Sequence, residues 1–136
     1  MLMAVCNYPL GMEDGRIQNS QLTASSQWDA TLAPAHARLN GETGAGAWHP
    51  AVADTNEWIQ VDLLETQGVS GIVLQGRAFG DNPQYTQKYR VKYSDDDSSW
   101  MWVTDDNQEQ AKVRRAALGF GVRGFGFLFW GFGFWI

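Results

Sequence analysis

The segment KYRVKYSDDDSSWMWV, residues 88–103, decides the fold of this chain. Its first half alternates, because Tyr89, Val91 and Tyr93 fall on one face of an extended strand and two cations fall on the other. The polar run SDDDSS is typical of a hairpin turn. WMWV has the aromatic and β-branched composition of a returning strand. The segment therefore predicts a β-hairpin with one face toward a core.

Two further stretches also favour strands. EWIQVDLL, at 57–64, alternates apolar and polar residues, and GVSGIVLQGR, at 68–77, is rich in β-forming residues. No stretch before residue 105 shows a sustained period of 3.6 residues. We therefore expect an all-β, antiparallel sandwich or barrel. Its long connections are loop one (24–35), loop two (40–57) and loop three (77–87). Long loops on a rigid β scaffold often carry function.

The charge is unevenly distributed along the 136 residues. The formal net charge is −5, but six basic and fifteen acidic residues up to Ala111 give the body a balance of −9. From Lys112 onward there are four basic residues and no acidic ones. Nucleic-acid binding requires a basic surface, so the body argues against a nucleic-acid partner. The same balance argues against a mainly electrostatic grip on anionic lipid.

No catalytic or metal-binding pattern is visible. His36 and His49 have no Cys or acidic partner at metal-ligand spacing and no nearby nucleophile motif, so both are interpreted as surface or loop histidines. The acids at 95–97 lack the spacing of a calcium loop. GETGAGAW, at 41–48, lacks the Lys-Ser/Thr ending of a phosphate loop, so its glycines are interpreted as loop turns. The sequence predicts neither an enzyme nor a cofactor.

The tryptophans differ in their surroundings. Trp28 stands among small and polar residues and is expected at a loop surface, where a large ring can anchor a partner. Trp48 and Trp58 border strand-like segments and are expected in the core. Trp100 and Trp102 share one face of a predicted strand and are expected to be mainly structural.

The C-terminal segment changes in composition. Residues 117–136, ALGFGVRGFGFLFWGFGFWI, consist mainly of Gly, Phe and Trp. Three interpretations compete: a glycine-interrupted membrane segment, an edge strand formed by FGFLF, or a sequence foreign to the domain. Arg123 and the glycines count against the membrane interpretation.

Several phrases occur together in a specific order. PLGMEDGRIQNSQLTASSQW is followed by ARLNGETGAGAW, then by EWIQVDLLETQGVSGIVLQGR and YTQKYRVKYSDDDSSWMWV. Over about residues 6–104 this order resembles the discoidin domain, also called the coagulation factor 5/8 type C domain. The resemblance implies a galactose-binding-like β sandwich or jelly roll. It also implies an extracellular or cell-surface binding module and not an enzyme.

The resemblance ends near residue 105. The family closes its fold with further strands and a second cysteine, which pairs with the one matching Cys6. This sequence has only Cys6, so the resemblance implies a disulfide whose partner is missing here. We therefore expect a truncated domain at 6–111, incomplete at its C-terminus, followed by a Gly/Phe/Trp-rich tail at 112–136 outside the family pattern.

Loop one and the GAGAWHP phrase most resemble discoidin domain receptors, which bind fibrillar collagen. By position, Trp28 matches the ring that packs on collagen, and Arg77 matches a basic residue beside it. A receptor Thr falls at Leu32, next to Thr31. A receptor Asp falls at Ala45, a Glu falls near Gln84, and a loop cysteine falls at His49. The predicted ligand-binding set is Trp28, Asp29, Thr31, Leu32, Glu42, Thr43, Arg77, Phe79, Gln84 and Tyr85.

Three functions follow as alternatives. The first is recognition of a matrix protein such as collagen, a glycan or a cell-surface protein through the loops. The second is binding of anionic phospholipid, with Trp28, Leu32 and Phe79 inserting into the membrane. The third is a nonfunctional fragment with an aberrant tail.

Overall fold

The structure, a computed structural model, describes residues 8–65, 67–69, 71–77, 84–86 and 89–103, and the backbone of three later strands at 112–113, 117–121 and 133–135. In chain order the strands are β1 (Leu22–Ala24), β2 (Trp58–Asp62), β3 (Gln67–Gly68), β4 (Val73–Gln75), β5 (Arg90–Ser94), β6 (Trp100–Trp102), β7 (Lys112–Val113), β8 (Ala117–Gly121) and β9 (Gly133–Trp135). Short 3-10 turns form at Asn19–Gln21, Ala30–Leu32 and Pro34–His36. Cys6, whose expected disulfide partner is missing from this sequence, lies outside the described residues.

The largest sheet has five strands in the order β1-β2-β8-β5-β6, and every neighbouring pair is antiparallel. The pairs β3–β7 and β4–β9 are separate two-stranded antiparallel sheets. This confirms the all-β, antiparallel prediction. The predicted strand at 57–64 contains β2, and the predicted hairpin at 88–103 contains β5 and β6.

The core forms against the inner face of this sheet. Ile59 and Val61 of β2 are fully buried, while their neighbours in the strand are not, as the alternation predicts. The other buried residues of the main core cluster are Met12, Ile17, Leu22, Ala37, Trp48 and Leu63, and Val91 and Tyr93 of β5 pack against it. The core position predicted for Trp48 is confirmed. Trp58 points to the opposite face of β2 and is half-buried, so its predicted core position is wrong.

The β5–β6 hairpin turns on the acid-rich segment at 95–99. The Asp96 carboxylate accepts the backbone N–H of Ser98 at 2.9 Å and that of Ser99 at 2.7 Å, and the Ser94 hydroxyl at 3.0 Å. These donors favour the charged carboxylate, first Ser99 and then Ser98, and hold the pKa of Asp96 well below its usual range. Asp97 takes a left-handed backbone conformation with φ 60°, which Asp tolerates better than most residues. The interpretation of these acids as a turn is thus consistent with their contacts.

The C-terminal segment contributes backbone to the main sheet. Strand β8 lies between β2 and β5, with Gln60 opposite Gly119 and Gly119 opposite Lys92. The FGFLF segment at 125–129, considered as an edge strand from the sequence, lies outside the described residues. The domain boundary at residue 111 stays a prediction, although β8 shows that backbone beyond it pairs with the sheet.

Candidate functional site

Loop one and loop two meet at one end of the main sheet because of the strand directions. Strand β1 ends where β2 begins, since Ala24 pairs with Ile59 in an antiparallel register. Loop one leaves β1 at this point, and loop two arrives at it. The Ser25 N–H extends the pairing by donating to the Trp58 carbonyl at 2.9 Å.

A buried carboxylate braces the base of these two loops. Glu57 is only 8% exposed, and its Oε2 accepts hydrogen bonds from the hydroxyls of Ser25 and Ser26. The Ser26 hydroxyl in turn accepts the Ala51 N–H at 3.0 Å, and the Ser26 carbonyl accepts Trp48 Nε1–H at 2.8 Å. A buried polar group must be hydrogen-bonded to be tolerated, and the two serine hydroxyls satisfy the Glu57 carboxyl group. Nothing in the sequence marks Glu57 as a brace, because it stands there only as the first polar residue of a predicted strand.

Trp28 lies at the surface of loop one. Its side chain is 63% exposed, which confirms the expected exposure. Its backbone is nevertheless fixed, because its N–H donates to the His49 carbonyl at 2.8 Å and the His49 N–H donates to the Leu32 carbonyl at 3.1 Å. The rings of Trp28 and His49 meet edge to face, with centroids 5.6 Å apart and planes at 74°. A large apolar ring is therefore exposed on a loop that is held by loop two.

Asp29 organises the turn that follows Trp28. Its Oδ1 accepts the Thr31 N–H at 2.8 Å, the Thr31 hydroxyl at 2.7 Å and the Leu32 N–H at 3.2 Å, which caps the 3-10 turn at Ala30–Leu32. The Thr31 hydroxyl, the Thr31 N–H and then the Leu32 N–H lower the pKa of Asp29, with a smaller contribution from the charge of Arg77. The polar groups of Asp29 and Thr31 are thus hydrogen-bonded to each other, and these bonds fix the conformation of the loop.

Leu32 faces inward. It is 8% exposed, so its side chain is covered, and it does not offer an apolar tip to a ligand or a membrane. We therefore remove Leu32 from the proposed contact surface.

Arg77 is fixed at the base of loop three. Its backbone N–H and carbonyl form a reciprocal pair with Gln84, at 2.7 and 2.9 Å. Its guanidinium Nη1 donates to Gln84 Oε1 at 3.0 Å. Gln84 is itself buried, so it acts as a support for Arg77 and not as a surface group. Tyr85 is 53% exposed beside this bridge. Phe79 lies outside the described residues, and its role stays a prediction.

Loop two adds two exposed polar side chains. Glu42 and Thr43 both lie at the surface, and Thr43 Oγ1 is 3.0 Å from His36 Nδ1. The Ala45 N–H donates to the Thr31 carbonyl of loop one at 2.8 Å. The sequence predicts His36 and His49 to be ordinary surface or loop histidines, whereas both link loop one to loop two in the structure.

The site thus combines the exposed ring of Trp28 with the neighbouring Asp29, on whose carboxyl the charge of Arg77 acts. Within the described ranges, no group of three or more His, Cys, Asp or Glu side chains is placed to hold a metal ion. No helix among the described residues is both long and apolar enough to cross a membrane. An exposed aromatic ring on a fixed loop suits recognition of a partner by packing and hydrogen bonding.

An antiparallel β fold with two joined loops at one end is typical of a binding domain, and the comparisons with known proteins give the family. The model of the F5/8 type C domain matches residues 21–118, so this chain belongs to the F5/8 type C, or discoidin, family. Domains of this family are binding modules of extracellular proteins such as coagulation factor V and neuropilin.

Relatives with 37–38% identity come from several larger proteins. The chain is 38% identical over 111 residues to the non-catalytic subunit of the venom prothrombin activator pseutarin-C of Pseudonaja textilis. It is 38% identical over 114 residues to the mouse EGF-like repeat and discoidin I-like domain-containing protein 3, and 37% identical over 108 residues to human neuropilin-1. Each match covers 79% of this chain but only 8%, 24% and 12% of these relatives, respectively.

Solved structures show the same fold. Discoidin II of Dictyostelium discoideum superposes with a TM-score of 0.68 at 18% identity, over 84% of this chain and 53% of that one. The family 32 carbohydrate-binding module (CBM) from C. perfringens NanJ, solved in complex with galactose, gives a TM-score of 0.54 at 18% identity, over 88% and 92%. These likenesses confirm the predicted galactose-binding-like β sandwich.

Proposed function

We propose that this domain is an extracellular, non-enzymatic module that binds a matrix or cell-surface protein through its loop end. Trp28 is the apolar anchor, and Arg77 supplies the neighbouring cation. Glu42, Thr43 and Tyr85 form the surrounding surface. Asp29, Thr31 and Gln84 support it from within the loops.

The observation that carries this proposal is the state of Trp28. A side chain that exposes 63% of a large ring to water gains little folding energy from that area, yet its backbone is fixed by hydrogen bonds to loop two. Tryptophans held in this way are typical anchors of protein interfaces, since little conformational entropy remains to be lost on binding.

Two observations favour a protein ligand over a phospholipid surface. Leu32, one of the side chains expected to insert into a membrane, is buried. The body up to Ala111 also carries fifteen acidic residues against six basic ones, which opposes an anionic membrane. Phospholipid and glycan remain as measurable alternatives, because the family binds several classes of ligand.

Binding to immobilised fibrillar collagen tests the proposal, with galactose and phosphatidylserine liposomes as parallel probes. We expect the chain to bind collagen and Trp28→Ala to weaken this binding at least about tenfold. Trp102→Ala is the matched control, because it removes another partly exposed tryptophan far along the sequence, and its binding should equal that of the wild type. Unchanged binding by Trp28→Ala would contradict the proposed site.

The parallel probes separate the other functions. Liposome binding that rises with phosphatidylserine content, without binding to collagen, would assign the site to phospholipid. Binding to immobilised galactose and to neither of the other two probes would assign it to glycan.

The fragment interpretation is tested by the unfolding of the full chain beside residues 1–111. If neither protein unfolds cooperatively, the chain is not a working module. A stable, binding-competent 1–111 protein would support the predicted boundary at 111.

A further inference from the structure

The imidazole ring of His36 contacts both loop one and loop two. Its Nε2 lies 3.2 Å from the carbonyl oxygen of Ala30, and its Nδ1 lies 3.0 Å from Oγ1 of Thr43. A carbonyl oxygen can only accept a hydrogen bond, so Nε2 must carry a proton. In the neutral ring Nδ1 then accepts from the Thr43 hydroxyl. His36 is therefore a bridge with one hydrogen bond to each loop.

The backbone of loop two packs directly on this ring. Gly44 has φ +59°, and a Cβ built there would lie 2.6 Å from His36 Cδ2 and 2.5 Å from the Thr31 carbonyl oxygen. The Ala45 N–H donates to that same carbonyl at 2.8 Å. Only glycine allows so close an approach, and the approach joins loop two to the turn next to Trp28.

We propose that His36 is a positioning residue that sets the separation of loop one and loop two and so fixes the binding surface before a ligand arrives. His36 itself touches no ligand in this scheme. It acts through Ala30, which lies in the turn next to Trp28, and through Thr43, which lies in the exposed part of loop two. The proposal rests on the proposed function for its effect on affinity, whereas the coupling of the loops is a property of the free protein. Preorganisation of this kind lowers the entropy cost of binding.

The first test is the tautomer of His36 in the free protein. Long-range ¹H–¹⁵N spectra of the neutral ring should show a protonated Nε2 and an unprotonated Nδ1. Thr43→Val should shift the Nδ1 resonance, because it removes the donor and keeps the shape of the side chain. Thr55→Val is the matched control, since Thr55 is an exposed threonine elsewhere in loop two. A protonated Nδ1 in the neutral ring would overturn the proposed bridge.

Hydrogen exchange then measures the coupling. His36→Phe keeps an aromatic ring at this position but removes both hydrogen bonds. We therefore expect the Ala45 amide to exchange about five- to tenfold faster. The amides of β2 should be unchanged. His36→Gln, which can donate to Ala30 and accept from Thr43, should restore part of the protection. Unchanged exchange at Ala45, or an equal acceleration in β2, would refute a local positioning role.

Collagen binding completes the test. His36→Phe should weaken binding about three- to tenfold, with a smaller loss for His36→Gln and none for Thr55→Val. If the wild type binds collagen and His36→Phe binds equally well, the positioning role is wrong. If the wild type binds no collagen, collagen is excluded as the ligand of the proposed function, and the exchange result alone decides whether His36 couples the loops.

Discussion

The loop end and the outer face of the β5–β6 hairpin both expose tryptophan, but they use it differently. On the hairpin, the Arg90 guanidinium lies 4.1 Å from the centroid of the Trp102 ring, and Lys92 Nζ lies 4.5 Å from that of Trp100. At the loop end, the ring of Trp28 is paired edge to face with the ring of His49, and this is its one aromatic or cation–π contact among the described residues. Trp102 is 45% exposed and Trp28 is 63% exposed, so exposure alone does not separate them.

The difference lies in what occupies the face of each ring. A cation over a tryptophan ring is a stabilising contact within the sheet, and it leaves that ring face unavailable to a ligand. Diagonal cross-strand pairs such as Arg90 with Trp102 follow from the hairpin register, in which Lys92 is opposite Trp102. The hairpin tryptophans thus help to hold the sheet together, whereas no cation lies over the ring of Trp28 within the part of the chain that the structure describes.

The largest expected effect contrasts Trp28 with the fully buried Trp48. Trp48→Ala should lower the free energy of unfolding by about 3–5 kcal/mol, because it removes a large ring from the core and leaves a cavity. Trp28→Ala should lower it by less than about 1 kcal/mol, since most of that ring is already in water. Urea unfolding followed by circular dichroism measures both.

Trp28→Phe controls for this contrast, since it keeps an aromatic ring against His49. It should be closer to the wild type than Trp28→Ala in stability. If Trp28→Ala lowered the free energy of unfolding by several kcal/mol, Trp28 would be a core residue, and the contrast with Trp48 would be wrong.

A smaller effect is expected on the hairpin. Arg90→Ala should lower the free energy of unfolding by about 0.5–1 kcal/mol, because it removes an exposed cation–π contact. Arg90→Lys should recover part of this loss, as a lysine can reach the same ring. Binding at the loop end should not change in either variant. If Arg90→Ala weakened collagen binding while stability was kept, the hairpin face would itself belong to the binding surface.

The sequence predicts the strands well where side chains alternate. Ile59 and Val61 in β2, and Val91 and Tyr93 in β5, show this pattern because one face of each strand is buried. Strand β8 could not be predicted in this way, because its ALGFG sequence contains glycines in alternate positions and no polar face. Its position between β2 and β5 depends on the sheet as a whole.

The site was predicted less completely than the fold. The exposure of Trp28 could be predicted because a single large ring among small and polar residues fits neither a helix nor a strand pattern. The linking roles of His36 and His49 could not, since they depend on carbonyl and hydroxyl partners brought together only by the folded loops. The inward direction of Leu32 and Gln84 likewise follows from the turn at Asp29 and the bridge to Arg77, which the sequence does not show.

The smallest expected effect concerns pH, and it compares a carboxylate from each region. Asp96 in the hairpin and Asp29 in loop one both have a lowered pKa in the folded protein, and the shift is larger for Asp96, mainly through the Ser99 and Ser98 N–H donors. A lowered folded pKa contributes stability above the ordinary carboxyl pKa, and this contribution is lost as the pH falls below about 4.

Melting temperatures between pH 7 and pH 2 should therefore decline less steeply on the acid side in Asp96→Asn than in the wild type. Asp29→Asn should show the same change to a smaller degree, and Glu65→Gln, which removes one exposed negative charge, controls for net charge. Equal acid dependence in Asp96→Asn and Glu65→Gln would show that the turn hydrogen bonds do not set the pKa of Asp96.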